Sequence, residues 1–438
     1  MRWRSASVLP RALLVGRLSA RETVIFDTPT WAATSAMVTA RALAPTVPVV
    51  AVALAAPASA PATRRASTRA ARRRAAVAGD TYKHSKPSQT LLDWGLKSQA
   101  IIGVSGGPKT FGKGLVTGNG QSARLAGMDL QVFDPRFEPI AAGAGPLQRL
   151  CTGAVWSEGP VWMAEDQSLL WSDIPNNRML RWQADTGMTV WRDAVDYTNG
   201  HIREADGALL HCSHGQRAVI RTRFCQASGP GLVPLADEVV VSHYQGRRLN
   251  SPNDIVVKSD GTLWFTDPPY GILSDHEGHA APSELGKHYV FRFCPASGAL
   301  RIVSDFVEEP NGLAFSPDES LLYVSDTSAA TRQDGSGYHH IVAFDVVGGQ
   351  DLANPRVFAV VNPGLADGFR VDVRGFVYTS SGDSVQVYHP DGTRLARIAV
   401  PEKVGNLCFG GAAGDELFIA ASSSIYRIRL ATTGAGLR

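Results

Sequence analysis

VVKSDGTLWFTD (residues 256–267) decides the fold. Two short runs of β-branched and aromatic residues flank the turn pair Asp260-Gly261, which is the grammar of a tight hairpin. The same grammar returns in FSPDESLLYVSD (315–326) and in VDVRGFVYTSSGDSVQVYHPDG (371–392), the latter with a turn pair at Asp391-Gly392. Working outward, six short apolar runs of strand character recur: LLWSD ending at Asp173, LLHCS at Ser213, LWFTD at Asp267, LYVSD at Asp326, VYTSS at Ser381 and LFIAA at Ala421. From Met128 onward no stretch carries a long helical apolar stripe.

An oxygen-bearing side chain stands 14 or 15 residues before the end of every one of these runs: Glu158, Asn199, Asn253, Asn311, Asp367 and Asn406. Asp, Glu and Asn together make up 50 of the 438 residues, so six hits in six repeats are hard to assign to chance. The spacings between the marked residues are 41, 54, 58, 56 and 39, the size of four short strands with turns and too long for a leucine-rich or ankyrin unit. The chain is therefore read as all-β: one six-bladed β-propeller over residues 128–438, with VFDPRFEPIAAGAG (132–145) helping to close the ring. In a propeller the innermost strands line a central channel, so equivalent positions in six blades form a ring. Acids and amides there need water, mutual hydrogen bonds or a cation. A wet polar plug of turn-capping Asn and Asp is one reading. A cation site is the other, favoured because no Lys or Arg occupies the ring and its only charges are those of Glu158 and Asp367.

The net charge of +3 conceals two segments. Residues 1–80 hold twelve Arg and no Lys against three acids, whereas residues 81–438 hold 31 basic and 37 acidic side chains. An acidic propeller suits a cation and argues against a nucleic-acid partner. Residues 1–127 read as a low-complexity basic leader, disordered or a presequence, because Ala-, Arg-, Gly- and Ser-rich sequence cannot bury a core. Within it VPVVAVALAAPASAPA (47–62) has the look of a signal-peptide apolar region, with Met37 as its start. The expectation is a cytoplasmic protein, or a periplasmic or secreted one if 37–62 is a working signal. That segment is too short for a transmembrane helix, and the propeller itself has no expected membrane span. Cys151, Cys212, Cys225, Cys294 and Cys408 are odd in number and widely spaced, so free thiols are expected.

SEGPVW around Glu158 puts a carboxylate before Gly159 and Pro160, where a bend would turn it toward the axis. Related elements follow in order: LNSPNDIVV around Asn253, EEPNGLAFS around Asn311 and LADGFRVD around Asp367. With SDIPNNRMLRW, HGQRAVIRTR and SSSIYRI, these stretches make residues 128–438 resemble the SMP-30/gluconolactonase family, also called regucalcin-like. The first 127 residues have no counterpart in that pattern. The resemblance implies one divalent metal at the top of the channel, held by Glu158, Asn311 and Asp367, with Asn253 as ligand or substrate contact. Asp367 matches the family's general base or acid. Animal members carry an Arg two residues before the Asn that matches Asn253; here that place is Ser251, and Arg248 is the candidate substitute.

Two carboxylates with amide oxygens form a hard donor set, which points to Ca²⁺ first and to Mg²⁺, Mn²⁺ or Zn²⁺ as alternatives. The implied activity is hydrolysis of a sugar lactone, with the metal as Lewis acid and Asp367 taking the proton of the attacking water. A lactonase or esterase for non-sugar substrates and a non-catalytic calcium-binding propeller are the alternatives. Asn199, Arg248 and His214 are further candidate substrate contacts, His214 having a structural reading as well, and Asn406 is a supporting residue behind the ligands. Asp173, Asp267 and Asp326 are expected to cap turns rather than catalyse. The long connection at 270–289 is expected to cover the pocket.

Overall fold

The computed structural model describes residues 130–226, 232–332 and 334–436. They form six four-stranded antiparallel blades. Blade 1 comprises Ser157–Met163, Ser168–Asp173, Arg178–Gln183 and Gly187–Asp193, and blade 2 comprises Thr198–Arg203, Leu209–Ser213, Ala218–Gln226 and Leu232–Val241. Blade 3 runs Ile255–Val257, Leu263–Asp267, Tyr289–Cys294 and Ala299–Ser304; blade 4 runs Pro310–Phe315, Leu321–Asp326, His340–Val347 and Asp351–Val360. Blade 5 contains Phe369–Val371, Val377–Thr379, Ser384–Tyr388 and Arg394–Ala399. Blade 6 takes Val404–Gly410, Glu416–Ala421 and Ser424–Arg429 from the end of the chain and its outermost strand, Gln148–Thr152, from before blade 1. The leader at 1–127, the candidate signal at 37–62 and the expected boundary at Met128 lie outside the described residues.

Ring closure differs in detail from the sequence expectation. The closing strand is Gln148–Thr152, just beyond 132–145. Leu130–Val132 instead adds a fifth strand to blade 5, and the segment between turns through a short 3-10 helix, Pro135–Phe137, and one turn of α-helix, Glu138–Ala142. Pro135 fixes the backbone for that helical start, so the segment bridges blades 5 and 6 rather than pairing across the seam.

Burial follows from the layering. Second strands are sandwiched between neighbouring blades and read as continuous apolar runs; all of Leu263–Asp267 is buried. Outer strands such as Asp351–Val360 mostly face solvent, Ala359 being the one buried residue of that strand. Most of the core therefore lies between blades. Val256 and Trp264 of blade 3 pack on Leu313, Leu322 and Phe344 of blade 4. Trp171 and Trp182 of blade 1 pack on Cys408 and Phe418 of blade 6, across the closure. Each such large side chain contributes roughly 1.5–3 kcal/mol by leaving water, so the seams between blades hold the ring shut. All five cysteines are free thiols, as expected. Among the described residues no helix is long and apolar enough to cross a membrane.

Candidate functional site

The six marked residues lie at or just before the innermost strands, and the backbone joins them into a circle. Gly200 N–H donates to the Asn253 carbonyl (2.8 Å), Gly312 N–H to that of Asp367 (2.9 Å) and Gly368 N–H to that of Gly405 (2.8 Å), each from one blade to the next. Such close approach explains the glycine that follows four of the six marked residues. A Cβ on Gly159 would stand 2.0 Å from the Asn199 carbonyl oxygen, and one on Gly312 would stand 2.4 Å from that of Asp367. Hydroxyls of the second strands complete the clamp. Ser172 donates to the Asn199 carbonyl (3.0 Å), Thr266 to that of Asn311 (2.7 Å) and Ser325 to that of Asp367 (3.1 Å), always onto the following blade.

The neighbouring aspartates do what the turn reading expects. Asp173 accepts from the Val155 N–H (2.8 Å), Asp267 from the Asn250 and Ser251 N–H groups (2.8 Å each) and Asp326 from the Glu308 N–H (2.9 Å). In the Ser-Asp and Thr-Asp pairs, one residue thus holds the next blade and the other holds its own loop.

Within the circle, Glu158 is buried; its Oε2 accepts from the Gly159 N–H (3.0 Å) and from Asn406 Nδ2 (3.1 Å). Its Oε1 is buried without a hydrogen-bond partner. Asn406 spends its own oxygen on the Leu407 N–H (2.8 Å), so it serves as a donor behind Glu158. Asn311 Nδ2 donates to Thr327 Oγ1 (3.2 Å), and the same amide nitrogen donates to the Asp367 carboxylate, which favours its ionised form. Asn199 Nδ2 meets His214 Nε2 at 3.3 Å, and His214 Nδ1 contacts the Glu277 carbonyl (2.9 Å), so His214 is buried and fully engaged. Arg248 Nη2 is spent on the Gln216 carbonyl (2.9 Å), and among the described residues no hydrogen bond ties it to the ring. Ser251, in the place of the animal Arg, is spent on the loop at 270–289: its hydroxyl donates to the Pro268 carbonyl (2.6 Å) and accepts from the Gly271 N–H (3.0 Å).

Charge is concentrated here without compensation in the ring. Burial pushes the Glu158 carboxyl well above its ordinary range, and the Asp367 carboxylate pushes it further. Burial raises Asp367 to about 6, opposed by Lys403 and reinforced by Glu277 on the covering loop. Two carboxyls that resist ionisation and face each other form a site that a cation would relieve. Among the described residues no group of three or more His, Cys, Asp and Glu side chains converges. A metal would therefore rest on Glu158 and Asp367 with amide oxygens of Asn311 and Asn253, and the unpartnered Glu158 Oε1 fits such a role.

Several residues at the site escaped the sequence reading. Asp254 stands where four of the other five repeats have glycine, and that exception was a usable signal. Its Oδ2 meets Arg370 Nη1 at 3.3 Å, an ion pair linking blades 3 and 5. Glu277, Lys403 and Tyr270 also reach the site, and they come from connections outside the repeat.

The residues 156–423 match the family described as the SMP-30/Gluconolactonase/LRE-like region. The gluconolactonase of Zymomonas mobilis is 32% identical over 347 residues, 73% of this chain and 92% of its own length. Pentonolactonase XacC of Haloferax volcanii is 29% identical over 272 residues, 60% of this chain and 81% of its own length. The solved structure of a gluconolactonase from Xanthomonas campestris is 37% identical, with a TM-score of 0.60, covering 71% of this chain and 98% of that one.

Proposed function

Because the chain belongs to the SMP-30/gluconolactonase/LRE-like family, we propose that it is a carboxylic ester hydrolase that opens a sugar lactone, such as glucono-1,5-lactone, at the mouth of the propeller. The observation that carries this reading is the pairing of Glu158 and Asp367, two buried carboxyls of raised pKa set among amide side chains in one clamped circle. Water attacks the lactone carbonyl carbon and gives its proton to Asp367. The ring C–O bond then breaks, the proton passes from Asp367 to the departing ring oxygen, and the hydroxy acid leaves. A carboxyl near 6 suits this work: it is ionised at neutral pH yet basic enough to take a proton. The Asp367 backbone is fixed by the Gly312 N–H and Ser325 hydroxyl on its carbonyl and by its own N–H donating to Ser380 Oγ (2.7 Å), so its carboxylate is held in place for the transfer.

A divalent cation held by Glu158, Asn311 and Asp367, with Asn253 beside them, would supply Lewis-acid polarisation of the lactone carbonyl. The hard oxygen set favours Ca²⁺, with Mg²⁺, Mn²⁺ and Zn²⁺ as alternatives. A pH-based assay on a panel of aldonolactones, run on metal-stripped and metal-supplemented protein, tests the reading. Metal-dependent turnover of sugar lactones is expected. Preference for apolar lactones or esters would move the substrate class, and cation binding with no turnover on any lactone would leave a binding protein.

A further inference from the structure

We propose that Lys403, held over the face of Trp156 at the mouth of the channel, anchors a carboxylate at the far end of the substrate, so that the site takes lactones of sugar acids that carry a second acid group. The inference deepens the lactonase reading above and rests on it. Both residues flank Glu158. Trp156 stands two residues before it, at the entry to Ser157–Met163, and Lys403 immediately precedes Val404–Gly410, the innermost strand of blade 6. The ring residues also lie at or just before the starts of innermost strands, so the pair sits at the same end of the channel. It is near Glu158 in space as well: a Cβ on Gly405, two residues past Lys403, would stand 2.5 Å from Glu158 Oε1.

The backbone of both residues is fixed. The Trp156 N–H donates to Asp173 Oδ1 (3.3 Å), and its carbonyl accepts from the Ile174 N–H (3.3 Å). The Lys403 carbonyl accepts from the Ser422 hydroxyl (3.1 Å), and the next N–H, of Val404, donates to the Ser381 carbonyl (3.1 Å). Lys403 Nζ lies 4.9 Å from the Trp156 ring centroid. Three lysines fall among the described residues, and the other two are spent on carboxylates: Lys258 on Glu319 (2.9 Å) and Lys287 on Asp305 (2.9 Å). Among the described residues no hydrogen bond or ion pair reaches the Lys403 ammonium. The distinction is chemical. A carboxylate partner positions an ammonium and cancels its charge, whereas an aromatic face positions it and leaves both the charge and the N–H donors to a ligand. Burial raises the Asp367 and Glu277 carboxyls, and the Lys403 charge opposes the rise in each without binding either. The mouth thus offers one directed positive group in acidic surroundings. A single ammonium matches the single charge of a carboxylate; a phosphate dianion beside Glu158, Asp367 and Glu277 would call for the guanidinium forks that such groups usually find.

Steady-state kinetics on the full chain test this with a matched pair of substrates, glucono-1,4-lactone and glucaro-1,4-lactone, which differ only in a hydroxymethyl or a carboxylate at the far carbon. The parent should favour the glucaro-lactone in kcat/KM. Lys403→Gln should lower the ratio of the two values about tenfold, the scale of one hydrogen bond to a charged group, chiefly through KM of the anionic substrate. Lys403→Arg, which keeps the charge and can stack on Trp156, should stay within about threefold of the parent ratio. Raising the ionic strength should lower the parent ratio and leave that of Lys403→Gln where it is, a response that a structural role would not give. Thermal melting of each variant is the folding control. A parent that prefers the glucono-lactone, a Lys403→Gln ratio equal to the parent's, or a Lys403→Arg ratio as low as that of Lys403→Gln overturns this inference alone. A parent that turns over neither lactone overturns it together with the lactonase reading.

Discussion

The ring and the loop above it are fastened in opposite ways. Ring donors sit on backbone that the neighbouring blade grips, by peptide hydrogen bonds and by the hydroxyls of Ser172, Thr266 and Ser325. The loop at 270–289 hangs mainly on side chains: Ser251 at its root, Ser283 donating to Asn250 Oδ1 (2.6 Å), the His214 contact with the Glu277 carbonyl and an edge-on approach of His279 to Tyr197. Backbone clamps survive substitution of most side chains, whereas side-chain fastenings change with single residues. Under the function proposed above, that difference would assign the chemistry to the ring and substrate selection to the loop.

Four changes probe that division, in order of decreasing effect. Asp367→Asn keeps an oxygen and the backbone clamp but removes the base; turnover should drop by a hundredfold or more, on the order of a general-base contribution, with cation binding retained by calorimetry. Normal turnover in this variant would remove Asp367 from the chemistry. Glu158→Gln should leave the fold intact, since Asn406 can still pair with an amide there, and should weaken cation binding by about tenfold or more, read by calorimetric titration. Acidification acts on the same pair. The Asp367 carboxyl lies at about 6 against an ordinary 3.8, so the folded chain takes up a proton that the unfolded chain does not as pH falls between those values. Through this group the metal-free fold gains stability on acidification toward 4, while protons compete with the cation; binding at pH 5 should be about tenfold weaker than at pH 7. A pH-independent affinity over that interval would contradict the shift. Ser251→Ala should be the mildest: losing a buried hydrogen-bonding hydroxyl costs about 1 kcal/mol, loosening the loop so that KM rises severalfold with kcat nearly unchanged. A matching fall in kcat would mean that loop and ring are one device.

The sequence made the repeated parts readable and left the unrepeated parts dark. Blade strands, the circle of Glu158, Asn199, Asn253, Asn311, Asp367 and Asn406, and the turn-capping aspartates all recur at fixed register, so each repeat corroborates the others. Asp254 was overlooked because it looked like one more polar residue in SPND; only comparison with Gly159, Gly200, Gly312 and Gly368 exposes it as the exception. Arg370 illustrates a different limit. Three residues past Asp367, its guanidinium pairs with Asp254 of another blade, a contact that spacing alone did not disclose. Trp156 and Lys403 lie 247 positions apart, and nothing periodic relates them. The ties that Ser251 makes to the loop at 270–289 were not legible, because that loop has no second copy in the chain.

Gln148–Thr152 pairs with Ser424–Arg429, so two strands more than 270 positions apart share one blade. Blades 1 to 4 and the four inner strands of blade 5 are built from hairpins of neighbouring sequence and can assemble locally; the edge strand Leu130–Val132 of blade 5 and the whole of blade 6 need both extremities of the propeller in hand. Until it zips, the molecule is an open crescent with a bare sheet edge, the state most exposed to self-association. In that crescent Asn406 has not yet met Glu158. With the ligand set proposed above, competence to hold a cation would be a late acquisition on the folding clock, arriving with closure rather than with the blades that carry most of those residues. Pulse-labelled hydrogen exchange during refolding should show amides of 404–429 protected last, and their early protection would place closure at the start instead.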